Sequence, residues 1–501
     1  MTLMKRLLSI AAVLLFSLTA NAQTQGISYT AVGRGVATSF VTDYHTLGIN
    51  SSALGWGNEY GKKFTTGSTE FNFGLYSDSL NVERVKGLFR AIRSDISGKG
   101  DSAPEWEKQK GYVSDYARAG IVMDASFNWF GFSYHGEKFG GIAFNIGEHY
   151  NWYSKLNQQT TELIFEGKWA DYFDSLTIVF GTDTTQIANT GNISQDTLDA
   201  AIEGTINAAI PLSDITNGSR ISFSWNRHYN FGYGRKLFGD DSTFALYGGI
   251  GGRFIQSMAM MTLESDGDEV RMYSAFAPDY DIDYGAIAST NPSNFQEMGG
   301  LLPKPVGYGY GLDFSASARL FGRVRLSAAV NNIGSVTYTR NVYRVKEEIE
   351  VGTMSLNGLT DANITESYEQ LLTDGGILEL EGQESYTLSN AANFRIGGQI
   401  DIGRIASVGV DFVGPFDRTN PGSLANHVLS LGGDIRPTKW LTLSAGYIGG
   451  GIYKHNIPIG INFVLGGGTY EVGISSRDML SFFLDGSNSI SSAFGFARVR
   501  F

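Results

Sequence analysis

The chain has 501 residues, and its 50 acidic against 38 basic residues give a formal net charge of −12. This acidic balance argues against nucleic-acid binding, which requires a basic surface. The absence of cysteine excludes disulfide bonds, so packing and backbone hydrogen bonds must stabilise the fold. Glycine is frequent, with 64 residues, and aromatic residues make up 13% of the chain, a composition that favours a transmembrane barrel over a soluble all-β protein.

The first residues have the pattern of a secretory signal peptide. Lys5 and Arg6 form a short positive region, Leu7 to Leu18 form an apolar run, and Ala20-Asn21-Ala22 matches an A-x-A cleavage site. The alternative is a membrane anchor, but the apolar run is shorter than the roughly 20 residues that a spanning helix needs. We therefore expect residues 1–22 to be a signal peptide, so that the mature protein is exported.

Residues 23–62 form a separate segment between the signal peptide and the first predicted strand. This segment is long enough to fold back into the lumen that a barrel of this size leaves open. We expect it to lie in the periplasm or to plug the barrel, with Asp43 and Asn50 as candidate contact residues. Residues 63–501 would then form the barrel itself.

The stretch Gly307–Leu320 shows the alternation of a long β-strand. Its even-numbered residues from Tyr308 to Ala318 are apolar or aromatic, whereas the odd-numbered residues between and after them are Gly, Ser, Asp or Arg. Such alternation over a dozen residues exceeds the usual soluble strand of about five to six residues. It indicates a strand with one face toward lipid and the other toward water.

The same alternation recurs along the chain and predicts about 14 strands, an even number that is typical of bacterial barrels. They span residues 63–76, 119–134, 139–148, 219–233, 243–256, 307–320, 323–333, 391–402, 405–414, 426–436, 440–449, 457–465, 469–476 and 493–501. Every even-to-odd connection is short, whereas the long insertions at 77–118, 149–218, 257–306 and 334–390 all follow odd strands. This asymmetry predicts short periplasmic turns and long loops outside the cell.

The long loops carry local features of their own. Residues 82–96, Asp196–Ile210 and Asp361–Leu372 show the helical spacing of apolar residues, which predicts short helices over the outer mouth. Asp279–Asp283 resembles the start of a calcium-binding loop, but the positions where an EF-hand needs Gly and Glu hold other residues. Two interpretations stay open there: a solvated acidic loop, or adventitious binding of a divalent ion.

The last predicted strand ends the chain at Phe501, with Val499 and Ala497 on the same face. A terminal aromatic residue with alternating apolar partners matches the signal that the barrel-assembly machinery recognises in outer-membrane barrels. An ordinary edge strand is the alternative. Pairing of this strand with the first strand would close the barrel and remove edges that lipid does not tolerate.

Charged residues at alternating positions of the predicted strands should point into the lumen. In a wall of low dielectric constant, charges of mixed sign pair with one another or with a plug. We favour this structural interpretation over direct contact with a transported substrate. The candidates are Asp313, Arg319, Arg325, Arg395, Asp401, Asp411, Asp434, Arg436, Arg498 and Arg500.

The chain contains no motif for catalysis, for a cofactor or for a metal ion. The six histidines include no H-E-x-x-H pair, no G-x-S-x-G occurs, and no glycine cluster completes a phosphate-binding pattern. Glycine within barrel strands instead permits curvature or close approach of plug and wall. We predict a protein that is not an enzyme, with no catalytic residues, cofactor or metal; a serine–histidine site built from separate strands is the alternative.

The segment Gly33–Gly57 resembles the N-terminal hatch of long-chain fatty-acid transporter barrels and of the related shuttle barrels of type IX secretion. Asp43 and the stretch Asn50–Leu54 carry this resemblance, although Ser51 stands where those families have proline. The resemblance implies a barrel with an N-terminal plug and a hydrophobic substrate.

The second half of the chain resembles an uncharacterised family of Bacteroidota outer-membrane proteins with a domain of unknown function. Tyr308–Leu320, Ala328–Tyr338 and Tyr470–Leu480 carry this resemblance, which covers nearly the whole mature chain. It implies the fold and the location, but no substrate.

Together these patterns predict an all-β fold: a closed antiparallel transmembrane β-barrel of about 14 strands with an N-terminal plug and long extracellular loops, in the cell outer membrane. The leading functional hypothesis is passive uptake of a hydrophobic or amphipathic small molecule. The alternative is a non-transporting surface scaffold or secretion-associated barrel that presents its outer loops to protein or glycan partners. Expected partners are outer-membrane lipid, the barrel-assembly machinery, a hydrophobic small-molecule ligand and a secreted or surface protein, but no nucleic acid.

Overall fold

The structure is a computed structural model that describes most of the chain. The described residues are 28–77, 114–115, 117–190, 193–346, 349–355, 378–451, 455–479 and 489–501. The predicted signal peptide and the predicted helices at 82–96 and 361–372 lie outside these ranges. Among the described residues, no helix is both long enough and apolar enough to cross a membrane.

Within these ranges, fourteen antiparallel strands form a closed barrel, which confirms the predicted fold. Each strand pairs with its neighbours in chain order, and β14 pairs with β1 from Thr65↔Arg500 to Tyr76↔Ser489. This seam joins the two strands that would otherwise be edges. The strands are β1 (Phe64–Ser77), β2 (Ile121–Gly136), β3 (Gly140–Lys155), β4 (Arg220–Asp240), β5 (Phe244–Ser265), β6 (Gly307–Leu320), β7 (Val324–Tyr338), β8 (Asn393–Ile402), β9 (Ala406–Pro415), β10 (Val428–Thr438), β11 (Leu441–Gly450), β12 (Ile459–Leu465), β13 (Tyr470–Ser476) and β14 (Ser489–Arg500).

Side chains alternate between an apolar outer face and a polar inner face of the barrel. Leu326 and Leu431 point outward and are 49% and 56% exposed, whereas their inward neighbours Ser327 and Ser430 are buried. Exposure of such an apolar surface to water is unfavourable, whereas contact with hydrocarbon is not. The outer face therefore has the chemistry of a surface that contacts lipid.

The connections alternate between short turns at one end of the barrel and long loops at the other. We call these ends the short-turn rim and the long-loop rim. Both β1 and β14 meet the short-turn rim, β1 with its first residue and β14 with its last. The short connections are residues 137–139, 241–243, 321–323, 403–405, 439–440 and 466–469.

Strands β4 and β5 extend beyond the ends that periodicity predicts. β4 continues to Asp240 and β5 to Ser265, against predicted ends at residues 233 and 256. β5 can continue because the loop strand Val270–Phe276 pairs with it above the barrel. Further loop strands that extend this sheet are Val342–Val345, Leu380–Gly382, Tyr386–Ser389 and His455–Asn456.

Loops at the long-loop rim fold into a second layer, here called the loop subdomain. Leu163, Phe173 and Ile215 pack in its core and are at most 1% exposed. In the described part of the chain, this layer contains an antiparallel sheet of Ser175–Phe180, Asp183–Ala188, Ala201–Pro211 and Glu350–Met354. The loops therefore pack around an apolar core, to which Ala259 and Leu263 of β5 also contribute.

Helices are short throughout the described ranges. The α-helices that lie wholly within these ranges are α1 (Tyr29–Arg34), α2 (Gln158–Glu166), α3 (Gln195–Asp199) and α4 (Leu212–Thr216). The 3-10 turns are Asp43–Thr46, Ser51–Trp56, Gly167–Trp169, Pro278–Tyr280, Gly285–Thr290 and Gly466–Gly468.

The predicted loop helix Asp196–Ile210 is wrong beyond its first turn. Helix α3 ends at Asp199, and Ala201–Pro211 is a strand that pairs with residues 175–178 and 350–354. Its β-branched residues favour a strand, and Gly204 lowers its helix propensity. The strands that pair with it are distant in sequence, so local spacing gave the wrong structure.

Leu431→Arg tests whether the outer face contacts lipid. Arginine near the midplane of a bilayer costs an outer-membrane barrel about 2–4 kcal/mol, so the free energy of unfolding in lipid vesicles should fall by this amount. Ile402→Arg is the matched control, because Ile402 is also an exposed outward residue but ends β8 at the short-turn rim. Its expected cost is about 0–1 kcal/mol. Equal losses in urea titrations of the two variants would contradict a lipid-facing surface.

Candidate functional site

Residues 28–57 lie inside the barrel and are here called the plug. The hydroxyl of Ser28 caps α1 by accepting a hydrogen bond from the backbone N–H of Ala31 at 3.3 Å. Gly35 ends the helix in the left-handed region, with φ at 73°. Tyr29 and Tyr44 have no exposed surface, so the plug is packed against the wall.

The two buried tyrosines of the plug lie on glycines of the wall. The ring of Tyr44 lies over Gly67 of β1 and Gly131 of β2, where an added Cβ atom would overlap with it. Tyr29 lies in the same way over Gly495 of β14. Glycine at these inward positions allows the close approach of plug and wall.

The backbone of the plug approaches the wall at further glycines. The carbonyl oxygen of Arg34 occupies the space that a Cβ atom of Gly432 or Gly446 would need, and the carbonyl of Ser51 does the same at Gly234. These glycines belong to β10, β11 and β4. The backbone of the plug therefore contacts glycines on widely separated strands of the barrel.

Asp43 joins the plug to the last strand of the barrel. Its Oδ2 atom lies 2.8 Å from Nη2 of Arg498 and 3.3 Å from Nε of Arg500. Both arginines also pair with Glu471 of β13. Burial alone raises the pKa of the Asp43 carboxyl, but the two guanidinium groups outweigh it and hold that pKa below its ordinary value. Asp43 is therefore the charged plug residue of a buried four-residue network.

Two inward carboxylates of the wall also bind the plug. Asp434 accepts a hydrogen bond from Nη1 of Arg34 at 2.7 Å. Asp411 accepts the backbone N–H groups of Ala37 and Thr38 at 2.7 and 2.8 Å. Hydrogen bonds to an ionised acceptor are stronger than neutral ones, so these contacts fix the first third of the plug.

The remaining charged candidates lie at inward positions of the strands. They contact other wall residues, turns or the residues that follow the plug. The ion pairs are Asp313–Arg253 at 2.8 Å, Arg319–Asp241 at 3.1 Å, Arg325–Asp401 at 3.5 Å and Arg436–Glu59 at 3.4 Å. Arg395 is buried, and its charge interacts with those of Asp411 and Asp313. Asn50 donates to the carbonyl of Thr38 at 2.7 Å, so it braces the plug internally.

A buried cluster that the sequence analysis missed is centred on Glu70 of β1. Its Oε1 atom accepts a hydrogen bond from the Tyr44 hydroxyl at 2.6 Å and lies 2.9 Å from Nε2 of His45. Asn128 of β2 donates to Oε2 at 2.8 Å. Burial lowers the pKa of His45 against the opposing attraction of Glu70, so the pKa stays below its ordinary value. The cluster holds the plug on the side of β1 and β2.

A backbone irregularity explains why Glu70 was missed. Thr65 points inward, so strict alternation places Glu70 on the outer face. Thr69 adopts a positive φ of 57°, and the inward alternation shifts by one residue there: Gly67 and Glu70 are both buried, although the register of β1 with β2 is the same on either side. The only hint in the sequence is a charged residue at a predicted lipid-facing position.

Two chambers flank the plug, and His45 lines both of them. The upper chamber measures about 120 Å³ and lies toward the long-loop rim, with Pro421 and Gly422 among its lining residues. The vestibule measures about 890 Å³ and opens at the short-turn rim, where Arg404 and Lys439 line it. The plug around His45 is therefore the partition between the two chambers.

The acidic stretch Asp279–Asp283 makes hydrogen bonds to nearby backbone groups. Asp279 accepts from the backbone N–H of Gly299 at 3.0 Å, and Asp283 accepts from that of Gly285 at 2.7 Å. Among the described residues, no group of three or more His, Cys, Asp or Glu side chains is placed to hold a metal ion. These contacts fit a solvated acidic loop.

Comparison with known proteins gives one family and several distant structures. The profile of the family of unknown function DUF5723 matches residues 173–472. A search of curated proteins finds no match.

Three solved bacterial structures are similar to this chain, all at low identity. The Pseudomonas putida toluene transporter TodX is 9% identical with a TM-score of 0.39, and the match covers 96% of this chain and 98% of that chain. The Ralstonia pickettii toluene transporter TbuX is 12% identical with a TM-score of 0.41, covering 95% and 98%. A Pseudomonas aeruginosa FadL homologue is 11% identical with a TM-score of 0.37, covering 96% and 97%. Similarity at this level implies nothing about the substrate of this chain.

Asp43→Asn tests whether the network with β14 holds the plug. Asparagine removes the charge but tolerates the left-handed backbone of residue 43, so the local conformation can persist. Loss of the ion pairs with Arg498 and Arg500 should weaken the attachment of the plug by about 1.5–3 kcal/mol, the range for hydrogen bonds to charged groups. We expect a higher ion conductance in planar bilayers because the plug separates from β14 more often. Asp268→Asn, in an exposed loop, is the control, and equal conductance of the two variants would contradict the proposed anchor.

Gly131→Val tests whether the packing of Tyr44 against Gly131 holds the plug in place. The valine side chain would overlap with the tyrosine ring, and overpacking of this kind costs about 1–3 kcal/mol. We expect faster proteolytic cleavage of the plug in the purified protein. Gly252→Val is the matched control, because a Cβ atom there meets its first neighbour only at 3.8 Å. Identical cleavage rates for the two variants would show that Tyr44 does not depend on this seat.

Proposed function

The chain belongs to the family of unknown function DUF5723, and we propose that it is a plugged outer-membrane barrel that takes up an amphipathic small molecule. The lining of the upper chamber carries this proposal. Strands β1–β4 contribute mainly hydrogen-bonding side chains, here called the polar arc. The β5–β8 side contributes Ile255, Val336 and Leu388, here called the apolar arc, together with the polar residues Arg253, Asn332, Ser389 and Asn390. Such a lining suits a molecule with one polar and one apolar end.

The outer surface of the barrel supports a location in the outer membrane. Besides its apolar outward residues, the barrel has stacked aromatic rings at the short-turn rim. The ring centroids of Phe64 and Phe501 are 5.6 Å apart, and those of Trp440 and Phe463 are 6.1 Å apart. Aromatic girdles at the edges of an apolar band are typical of outer-membrane barrels. In this proposal the long-loop rim faces outward, the vestibule faces the periplasm, and Phe501 is read by the barrel-assembly machinery.

Uptake would require a displacement of the plug near His45. A molecule in the upper chamber meets a floor formed by Ser28, Tyr44, His45 and Leu47. Beyond this floor lies the vestibule, which is much larger and opens toward the short-turn rim. Movement of residues 43–47 away from β1 and β2 would join the two chambers into one path.

The charge network makes such a displacement reversible. When Asp43 leaves, Arg498 and Arg500 keep Glu471 as a counterion, since both already pair with it. A buried cation that retains a partner avoids most of the penalty of an isolated charge. With one carboxylate left for two guanidinium groups, this part of the wall keeps one uncompensated positive charge, which favours the return of Asp43.

A surface scaffold is the second candidate function, and the loop subdomain favours it. This layer has its own sheet and an apolar core that it shares with the end of β5, which exceeds what a simple cover over a channel needs. Replacement of the hairpin Ser175–Ala188 by a short turn separates the two functions. Uptake survives this change if the barrel is a transporter, whereas retention of a surface protein is lost if the loops are a scaffold.

A disulfide between plug and wall tests the proposed uptake. The Oγ atoms of Ser52 in the plug and Ser317 in β6 are 2.7 Å apart, and the natural chain contains no cysteine. We expect oxidised Ser52→Cys/Ser317→Cys to reduce uptake of radiolabelled 1-dodecanoylglycerol and dodecanoate to the level of cells without the protein. Reduction of the disulfide should restore uptake.

A disulfide within the wall is the control for this experiment. The Oγ1 atoms of Thr337 and Thr387 are 3.0 Å apart on paired strands outside the plug, so Thr337→Cys/Thr387→Cys leaves the plug free. Its uptake should be the same before and after reduction. If the Ser52–Ser317 lock has no effect on uptake, a moving plug is not part of the function.

A further inference from the structure

The polar arc of the upper chamber holds buried atoms that no described residue hydrogen-bonds. These atoms are Asn72 Oδ1, Ser126 Oγ, His149 Nε2, Asn226 Oδ1, His228 Nδ1 and Asn230 Oδ1. The residues Asn72, Ser126, His228 and Asn230 are more than nine-tenths buried. Buried polar atoms without a partner are few in folded proteins because each is costly. Their grouping around one cavity points to a ligand.

The chemistry of these atoms selects a hydrogen-bond donor. The three amide oxygens can only accept, and the serine hydroxyl and the two imidazole nitrogens can accept as well. The rings of His149 and His228 lie side by side, with centroids 4.3 Å apart. A ligand that satisfies this set needs several O–H or N–H groups. A carboxylate head group has none.

The charges next to the chamber are already balanced within the protein. Asp124 lies 3.3 Å from Nη1 of Arg477, and Arg253 lies 2.8 Å from Asp313. A charged head group would therefore enter a buried site without a free counterion, at a high desolvation cost. A neutral head group avoids this cost.

The size of the chamber limits the head group to a few heavy atoms. A cavity of about 150 Å³ is known to hold benzene, and this chamber measures about 120 Å³. A glycerol unit is of this size and carries hydroxyl groups on neighbouring carbons. Ile255, Val336, Tyr338 and Leu388 then lie on the side where an apolar tail would leave it.

We propose that the upper chamber binds the neutral, hydroxyl-bearing head group of an amphiphile, with Asn226, Asn230, His149 and His228 as its acceptors. This inference rests on the proposed function and specifies its substrate class. It distinguishes glycerol-type amphiphiles from fatty acids and from amines with the same tail.

The test compares three probes that share a twelve-carbon chain. Binding of 1-dodecanoylglycerol, dodecanoate and dodecylamine to the full-length protein is measured by calorimetry in a zwitterionic detergent. We expect the glyceride to bind about tenfold more tightly than either charged probe, since each loses at least one buried hydrogen bond or pays for desolvation. Asn226→Leu/Asn230→Leu should remove this preference, and Gln399→Met, an inward amide on the vestibule side, should keep it.

A second variant keeps the inference testable if the double leucine variant does not fold. Asn226→Asp has the same shape but adds a negative charge to the arc, so its preference should move from the glyceride to dodecylamine. Equal binding of all three probes by the natural protein would overturn the head-group inference and leave amphiphile uptake standing. Preference for dodecanoate or dodecylamine would overturn it as well. Absence of binding by all three probes would overturn both the inference and the proposed function.

Discussion

The close fit between plug and wall is the constraint on which the rest of the structure depends. A polypeptide backbone can approach a β-strand closely only where the strand lacks a side chain, so the wall needs glycine at those inward positions. Gly67, Gly131, Gly432, Gly446 and Gly495 meet this need on different sides of the barrel. Because the fit excludes water, the charges between plug and wall must be matched as well. Asp43, Asp411 and Asp434 each have their partners across this interface.

The loops determine the chemistry of the upper chamber as much as the barrel does. Its polar arc consists of inward side chains of β1–β4, which any water-facing lumen would contain. Its apolar arc is backed by a cluster in which Met260 of β5, Ala275 of the loop strand paired with β5, and Tyr338 of β7 pack with Ile255. The loop subdomain is thus more than a cover. It adds apolar residues to one side of a polar lumen, which links the scaffold-like part of the chain to the site.

The sequence predicts the barrel well because most strands follow one rule, the alternation of an apolar outer face with a polar inner face. The number of strands, their order and the alternation of short and long connections all follow from a period of two. The rule fails where the backbone departs from the period, as at Thr69, which turns Glu70 inward and hides the cluster with Tyr44 and His45. It also fails beyond the long-loop rim, where Ala201–Pro211 pairs with residues 175–178 and 350–354. Contacts such as Arg34–Asp434 join residues 400 positions apart, so local patterns cannot reveal them.

The position of Asp43 also sets an order for assembly. The plug is synthesised before β1, whereas both of its arginine partners lie on β14, the last strand of the chain. The network therefore cannot form until the final strand has arrived, and that same strand closes the seam with β1. A plug that is still outside at this moment would have to enter through a finished ring. Closure of the seam and capture of the plug therefore belong to one step of assembly. A barrel that closes without its plug lacks the negative charge of Asp43 beside Arg498 and Arg500, which a barrel that holds the plug has.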